Sequence, residues 1–256
     1  MHGSVFGKLS CCAAIAIIFT ACGGGSGDGE SSLRACDAFR VLNGEQCFSD
    51  SLPVVSLRIR RGAQEAGCTG TIISNDTVLT AAHCVANSQG AQAIHDRGTQ
   101  SATSGAINPL YDFDSTAFDT AILRFPNIAS NFRVTPAKIL ISRRIAVGDK
   151  VKVVAYGSDG TPSLENGNPR GAELTIQGIN SGLIGTVFDD GSKGVCFGDS
   201  GAAITLNGQI VGTVHGGINL PNVGSCASGN VNIFTDMQIK GNAEFVKTQD
   251  PSVVFE

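Results

Sequence analysis

The sequence predicts an all-β fold, and two observations carry this prediction. Short runs of β-branched or apolar residues recur along the chain, and Gly, Asn, Asp and Pro separate them. Helical periodicity is weak, and the 33 glycines suit a chain with many turns. Many short strands build a barrel or a sandwich, and periodicity alone does not decide between the two.

The predicted strands follow one another between turn-forming residues. In chain order they are 53–59, 70–74, 77–81, 120–124, 150–156, 172–178, 202–206, 209–215 and 230–235. Apolar spacing over 236–247 predicts one short C-terminal helix, although Gly241 is a poor helix former there.

Residues 1–21 have the pattern of an export signal peptide. Lys8 supplies a basic charge, and the apolar run 9–21 that follows is too short for a stable bilayer span. The run ends in Phe19-Thr20-Ala21-Cys22, which resembles a bacterial lipobox, in which the cysteine is lipidated; position 19 is more often Leu, Val or Ile. An ordinary signal peptide cleaved near the same place is the alternative.

The segment that follows predicts a flexible tether. Residues 23–32, GGGSGDGESS, offer no apolar side chains to bury. Gly23 after the cysteine, in place of Asp, favours the outer membrane of a bacterial cell. Without lipid the protein is expected to be periplasmic or secreted.

Net charge and histidine spacing argue against two kinds of partner, nucleic acid and a metal ion. The net charge of −4 offers no basic face for nucleic acid, a partner that would need clustered Lys and Arg. The histidines are scattered without metal-ligand spacing, so no metal site and no cofactor are expected.

Cysteine usage fits an oxidising compartment. Of nine cysteines, Cys11 and Cys12 leave with the signal and Cys22 would carry lipid. An even number remains, which predicts three disulfides; buried free thiols are the alternative. The remaining cysteines are Cys36, Cys47, Cys68, Cys84, Cys196 and Cys226.

The turn Cys196-Phe197-Gly198-Asp199-Ser200-Gly201 holds the candidate nucleophile, Ser200. A serine hydroxyl needs a base to take its proton and N–H donors to hold the oxyanion. Gly198 and Ser200 can supply those donors from the backbone.

A base and an orienting acid lie upstream. His83 stands in Thr80-Ala81-Ala82-His83-Cys84, and Asp119 heads the apolar run 120–124. Asp112 and Asp114 compete for the role of the acid, but only Asp119 begins a strand that would bury its carboxylate. The chain order His, Asp, Ser is one of three known triad orders.

Together these motifs resemble the trypsin/chymotrypsin-like serine proteases over residues 41 to 247. The resemblance implies two packed six-stranded antiparallel β-barrels with a short C-terminal helix, in a protease domain at 41–256. The barrels would span about 41–126 and 138–235, with the triad in the cleft between them. A serine endopeptidase acting on polypeptides through an acyl-enzyme is the implied function.

The resemblance also implies a disulfide pattern. It pairs the cysteine after the base, Cys84, with Cys68, and it pairs Cys196 with Cys226 across the specificity pocket. Cys36 and Cys47 remain as a third pair.

The same family pattern implies a substrate pocket. Gly194 would form its base and Gly216, Gly217 and Asn232 its walls, with Phe234 behind the pocket limiting its depth. Phe197 would also contact substrate, and His215 would either line the pocket or support the buried Asp from outside it. Since no carboxylate is expected there, the substrate residue before the cleaved bond should be small or medium and uncharged. The family usually has a small polar residue, next to the buried Asp, where this chain has His215.

The junction Arg40-Val41-Leu42-Asn43-Gly44 resembles a zymogen activation site. Cleavage after Arg40 by an activating protease would free the Val41 ammonium to pair with Asp199, leaving 22–40 as a lipidated tether and propeptide. A constitutively active enzyme with an ordinary loop here is the alternative.

A second function of another class also fits the fold. A lipid-anchored pseudo-protease could act as a binding module, and its support is Ala202-Ala203 where the family commonly has Gly-Pro.

Overall fold

The computed structural model describes residues 51–113, 116–158, 168–187, 194–219, 221, 225–227 and 229–256. The predicted signal peptide, lipid site Cys22, junction Arg40-Val41, and cysteines Cys36 and Cys47 lie outside the described residues. None of the helices in the described segments is both long and apolar enough to cross a membrane.

Seven strand segments form the N-terminal barrel, and all their pairings are antiparallel. Their order in the sheet is β5-β4-β1-β2-β3-β7-β6. The strands are β1 (Val54–Arg61), β2 (Gln64–Ile72), β3 (Thr77–Thr80), β4 (Gly90–His95), β5 (Gly98–Ser101), β6 (Ser104–Ile107) and β7 (Ala121–Arg124). Two short helices, α1 (Ala82–Val85) and α2 (Ile128–Phe132), follow β3 and β7.

The two edges of this sheet meet at Ala102 and Thr103, which join β5 to β6. Ala102 N–H donates to Ala91 O of β4 at 2.9 Å, and Thr103 N–H donates to Arg124 O of β7 at 2.8 Å. One strand of the barrel is thus broken in two, and the chain changes partner between adjacent residues. This is why the barrel predicted with six strands has seven segments.

Six further strands close the C-terminal barrel in the order β10-β13-β12-β11-β8-β9. They are β8 (Lys150–Ala155), β9 (Arg170–Asn180), β10 (Leu183–Val187), β11 (Ala203–Leu206), β12 (Gln209–Ile218) and β13 (Val231–Asp236), and α3 (Lys240–Gln249) comes after them.

The predicted all-β class with two barrels and a C-terminal helix is confirmed. All nine predicted strands are present with shifted ends, whereas β4, β5, β6 and β10 were not predicted. All four of these strands are short. In addition, β5 and β6 are largely exposed and polar, so these two lack the apolar runs that mark the predicted strands. The helix begins at Lys240 and not at 236, because β13 continues through Asp236.

Each barrel has its own apolar core, and a third cluster joins the barrels. It draws Val54 and Leu79 from the first barrel, Val154 and Ala203 from the second, and Phe245 from α3.

Asp250, directly after α3, reinforces that contact. Its Oδ2 accepts hydrogen bonds from Ser74 Oγ at 2.6 Å and Thr77 Oγ1 at 2.5 Å, and pairs with Arg124 at 3.1 Å. The segment that follows the C-terminal barrel is therefore fastened to the N-terminal one.

Candidate active site

The pairing of β3 with β7 brings His83 to Asp119. Thr80 at the end of β3 lies opposite Ala121 at the start of β7, so the residues just beyond each are neighbours. His83 Nδ1 lies 2.6 Å from Asp119 Oδ2, and the His83 N–H donates to Asp119 Oδ1 at 2.8 Å. The carboxylate thus fixes both the ring and the backbone of His83.

Asp119 is fully buried, yet it is held ionised. Burial raises its pKa, but hydrogen bonds from His215 and His83 outweigh that effect and place the pKa well below its ordinary value. An ionised carboxylate only accepts hydrogen bonds, so Nδ1 of each imidazole carries its proton. In neutral His83, Nε2 is then a free acceptor.

His215, on β12, is a second imidazole on the same oxygen. Its Nδ1 lies 2.5 Å from Asp119 Oδ2, and its ring meets the His83 ring edge-on at 5.4 Å. His215 was predicted either to line the substrate pocket or to support the buried Asp, and the structure places its ring on the Asp119 carboxylate. The family pattern of a small polar residue beside the buried Asp pointed to this contact.

Ser200 stands in a tight turn before β11, and two glycines shape that turn. Gly198 has φ +90°, and a Cβ there would lie 3.1 Å from Gly157 Cα. Gly201 has φ +85°, and a Cβ there would lie 2.2 Å from Thr80 Oγ1. Only glycine permits this backbone so close to Gly157 on one side and to Thr80 of the first barrel on the other.

Thr69 of β2 connects the serine turn to the N-terminal barrel. Its N–H donates to Ser200 O at 2.9 Å, and its hydroxyl donates to Gly198 O at 2.8 Å. The same hydroxyl accepts from Tyr156 N–H at 3.1 Å. Sequence reasoning missed Thr69, because nothing in its local pattern marks a contact across the cleft.

Cys84 lies beside both His83 and Ser200. Cys84 Sγ lies 3.8 Å from His83 Nε2 and 3.7 Å from Ser200 O. The Ser200 hydroxyl donates weakly to His215 O at 3.4 Å, and its hydrogen bonds within the described chain do not include His83. Hydrogen bonds between nucleophile and base are often long before substrate binds.

Two N–H groups of the turn are open to a ligand. Within the described residues, the N–H groups of Gly198 and Ser200 donate no hydrogen bond to the protein. Donors in this state suit a developing oxyanion.

Asp199 lies behind the turn and is fully buried. Its carboxylate accepts hydrogen bonds from Gly157 N–H at 2.8 Å and Cys196 N–H at 2.7 Å. Burial raises the pKa of Asp199 to about 7, and these amides with the charge of Arg170 offset only part of that effect.

Disulfides join Cys68 to Cys84 and Cys196 to Cys226, the two pairings that the resemblance implies. The first fixes the residue after His83 to β2. The second fixes the start of the serine turn.

A family model described as Trypsin matches residues 41–241 of this chain. The chain belongs to the trypsin family.

Curated relatives agree with this membership. The chain is 27% identical over 199 residues to snake venom serine protease 3 of Protobothrops flavoviridis, covering 69% of this chain and 76% of that protein. It is 26% identical over 218 residues to a trypsin of Simulium vittatum, covering 75% and 85%.

Two solved structures show the same fold. HL collagenase superposes with a TM-score of 0.71 at 18% identity, covering 82% of this chain and 99% of that one. Neuropsin, a serine protease expressed in mouse brain, gives 0.65 at 20% identity, covering 82% and 100%.

Beside Ser200 the trypsin-family fold encloses a cavity of about 200 Å³. Of the predicted pocket residues, Phe197, Gly216, Gly217 and Asn232 line it. Additional lining residues that sequence reasoning missed are Val195, Asn219, Ser225 and Asn230.

Gly194 and Phe234 do not line this cavity. Gly194 is buried, and its neighbour Val195 takes the lining position. Phe234 is fully buried in the core of the C-terminal barrel, in the same apolar cluster as the lining residue Val195.

Proposed function

We propose that the protein is a serine endopeptidase with His83 as base, Asp119 as its orienting acid and Ser200 as nucleophile. The observation that carries this proposal is the pair of hydrogen bonds from His83 Nδ1 and N–H to the buried Asp119, beside a serine turn with two open N–H groups.

The reaction proceeds through an acyl-enzyme. His83 Nε2 takes the proton of Ser200 as Oγ attacks the substrate carbonyl, and Asp119 stabilises the imidazolium that forms. The N–H groups of Gly198 and Ser200 hold the oxyanion. His83 then protonates the leaving amine, and water releases the acyl group by the same steps.

A fluorophosphonate probe tests the assignment. The wild type should be labelled, and Ser200→Ala should lose labelling and peptidase activity by about three orders of magnitude or more. Ser142→Ala, which removes an exposed serine outside the cavity, serves as the control. Full activity in Ser200→Ala contradicts the proposal.

The second candidate is the pseudo-protease that acts as a binding module. The hydrogen bond from Ser200 Oγ to His215 O, in place of one to His83, is the observation that favours it. A folded wild type that binds peptides but is never labelled supports this candidate.

The cavity supports a preference for small or medium uncharged residues before the cleaved bond. No described lining residue is acidic, so a Lys or Arg side chain would lack a counter-charge. The polar groups of the lining residue Asn232 are used inside the protein, where Oδ1 accepts from Val195 N–H and Nδ2 donates to Thr186 Oγ1. Profiling with a peptide library checks this, and a strong preference for Lys or Arg refutes it.

Activation by cleavage after Arg40 is supported by the state of Asp199. An incoming Val41 ammonium would supply the cation that this buried carboxylate needs, and would order the turn that carries Gly198. Limited digestion with trypsin should raise activity as a Val41 terminus appears. Arg40→Gln should stay inactive, and an uncut enzyme with full activity overturns the idea.

The protein is proposed to be an exported lipoprotein of a bacterial outer membrane. Two disulfides in the described chain support export. Lipidated Cys22 should send the wild type into the detergent phase, and Cys22→Ser should remain in the aqueous phase. If Cys36 and Cys47 are bonded, activated protein should leave the membrane only after reduction.

A further inference from the structure

Two histidines and one carboxylate converge on a single point in the cleft. His83 Nδ1 and His215 Nδ1 lie 2.6 and 2.5 Å from Asp119 Oδ2, and the three atoms lie within 4.8 Å of one another. The proposed reaction uses His83 and Asp119 but needs no second imidazole.

Two imidazoles and a carboxylate form a donor set typical of zinc. We propose that His83, Asp119 and His215 form a Zn²⁺ site, and that zinc reversibly inhibits the enzyme. The binding stands on these three residues alone, whereas the inhibition rests on the proposed function.

The site must open slightly to admit the ion. Donor atoms of a tetrahedral zinc site, with bonds of about 2.0–2.1 Å, lie about 3.3 Å apart. Each ring would therefore move by less than about 1 Å from Asp119 Oδ2. The side chains of His83 and His215 are 27% and 28% exposed, so they can move, while His83 N–H holds the other carboxylate oxygen.

The positions of the imidazole protons explain why bound zinc inhibits the enzyme. In each neutral ring the proton now on Nδ1 shifts to Nε2, which frees the Nδ1 lone pair for zinc without a net change in protons. The complex of Zn²⁺ with two neutral imidazoles and one carboxylate has a charge of +1. His83 Nε2 then carries a proton and cannot accept that of Ser200, so the base is lost while zinc is bound.

Sequence spacing cannot show this site. His83 and Asp119 are 36 residues apart, and Asp119 and His215 are 96 apart. A second cluster, Cys68, His83 and Cys84, has comparable proximity, but both sulfurs are in a disulfide and cannot ligate.

The binding test uses the full chain with Ser200→Ala, which removes self-digestion and any dependence on activity. Calorimetry with Zn²⁺ should give one site, and Co²⁺ should give the visible absorption of a four-coordinate ion. His215→Ser, which keeps a donor for Asp119 but removes a ligand, should weaken Zn²⁺ binding at least about tenfold.

The matched control is His95→Asn, which changes a buried histidine stacked on Phe132, away from the cluster. It should leave the affinity for Zn²⁺ unchanged. Equal affinities in the His215→Ser and parent proteins, both shown to be folded by circular dichroism, overturn the site.

The inhibition test uses wild-type enzyme. Zn²⁺ should abolish peptidase activity at the concentrations that saturate the binding site, and a chelator should restore it. Bound zinc with undiminished activity overturns the inhibition. An inactive metal-free enzyme would refute the proposed function, while the calorimetry would still decide the site.

Discussion

Asp119 and Asp199 are both fully buried, but their surroundings drive their pKa values in opposite directions. Two imidazoles and one amide donate to Asp119, and its pKa lies well below the ordinary value. Two amides donate to Asp199, and its pKa rises to about 7. Burial therefore does not decide whether a carboxylate is ionised; the strength of its donors does.

The largest effect should come from making Asp119 neutral. In Asp119→Asn the amide can donate to His83 Nδ1 and stabilise the wrong tautomer, so we expect kcat to fall about 10⁴-fold. Steady-state kinetics on a peptide substrate measures this. Asp112→Asn, at an exposed acid of the preceding loop, should change kcat little; a loss of less than tenfold in Asp119→Asn would contradict the role.

Asp199 should make the uncut chain less stable as pH rises. Its folded pKa of about 7 lies above the ordinary 3.8, so the neutral form is favoured on folding. Its contribution to stability is fully present below pH 3.8 and is lost as pH rises to about 7, by up to about 4 kcal/mol.

Denaturant unfolding of Ser200→Ala, with Arg40→Gln to prevent cleavage, measures that loss. Adding Asp199→Asn should remove the pH dependence between about pH 4 and 7. Parallel curves with and without Asp199→Asn would show that burial does not raise this pKa.

Thr69 stabilises the serine turn through hydrogen bonds between neutral groups. Replacing it should therefore lower the free energy of unfolding by less than ionisation of Asp199 does. Thr69→Val leaves Gly198 O and Tyr156 N–H without the buried hydroxyl and should lower the free energy of unfolding by about 2 kcal/mol. Thr69→Ser keeps the hydroxyl and should lose markedly less. Equal losses in both variants would point to packing of the methyl group.

The smallest effect should come from Arg144, an exposed cation near the buried carboxylate of Asp236. Burial raises the pKa of Asp236, and Arg144, with a side chain 62% exposed, lies 3.8 Å away. Arg144→Gln should therefore cost less than about 1 kcal/mol. Arg144 also donates to Gln238 O, so a larger cost in thermal unfolding would contradict this expectation without assigning the cost to the charge.

The sequence was sufficient to predict the residues that local motifs mark. His83, Asp119 and Ser200 stand in short motifs, and the structure brings them to one cleft. The same holds for the strands with long apolar runs. Local chemistry of this kind is visible in a few consecutive residues.

Features that depend on distant partners were not predictable. The partner change between Ala102 and Thr103 requires both edges of a sheet, and the Asp119–His215 contact spans 96 residues. Val195 replaces Gly194 in the cavity because the direction of a side chain in a turn depends on its neighbours in space.

The fastening of Asp250 to Ser74, Thr77 and Arg124 also sets an order of events during synthesis. A ribosome completes both barrels before it reaches residue 250, so the cleft lacks this brace while the chain is still growing. The contact between the segment after α3 and the N-terminal barrel is therefore among the last tertiary contacts to form as the chain is made.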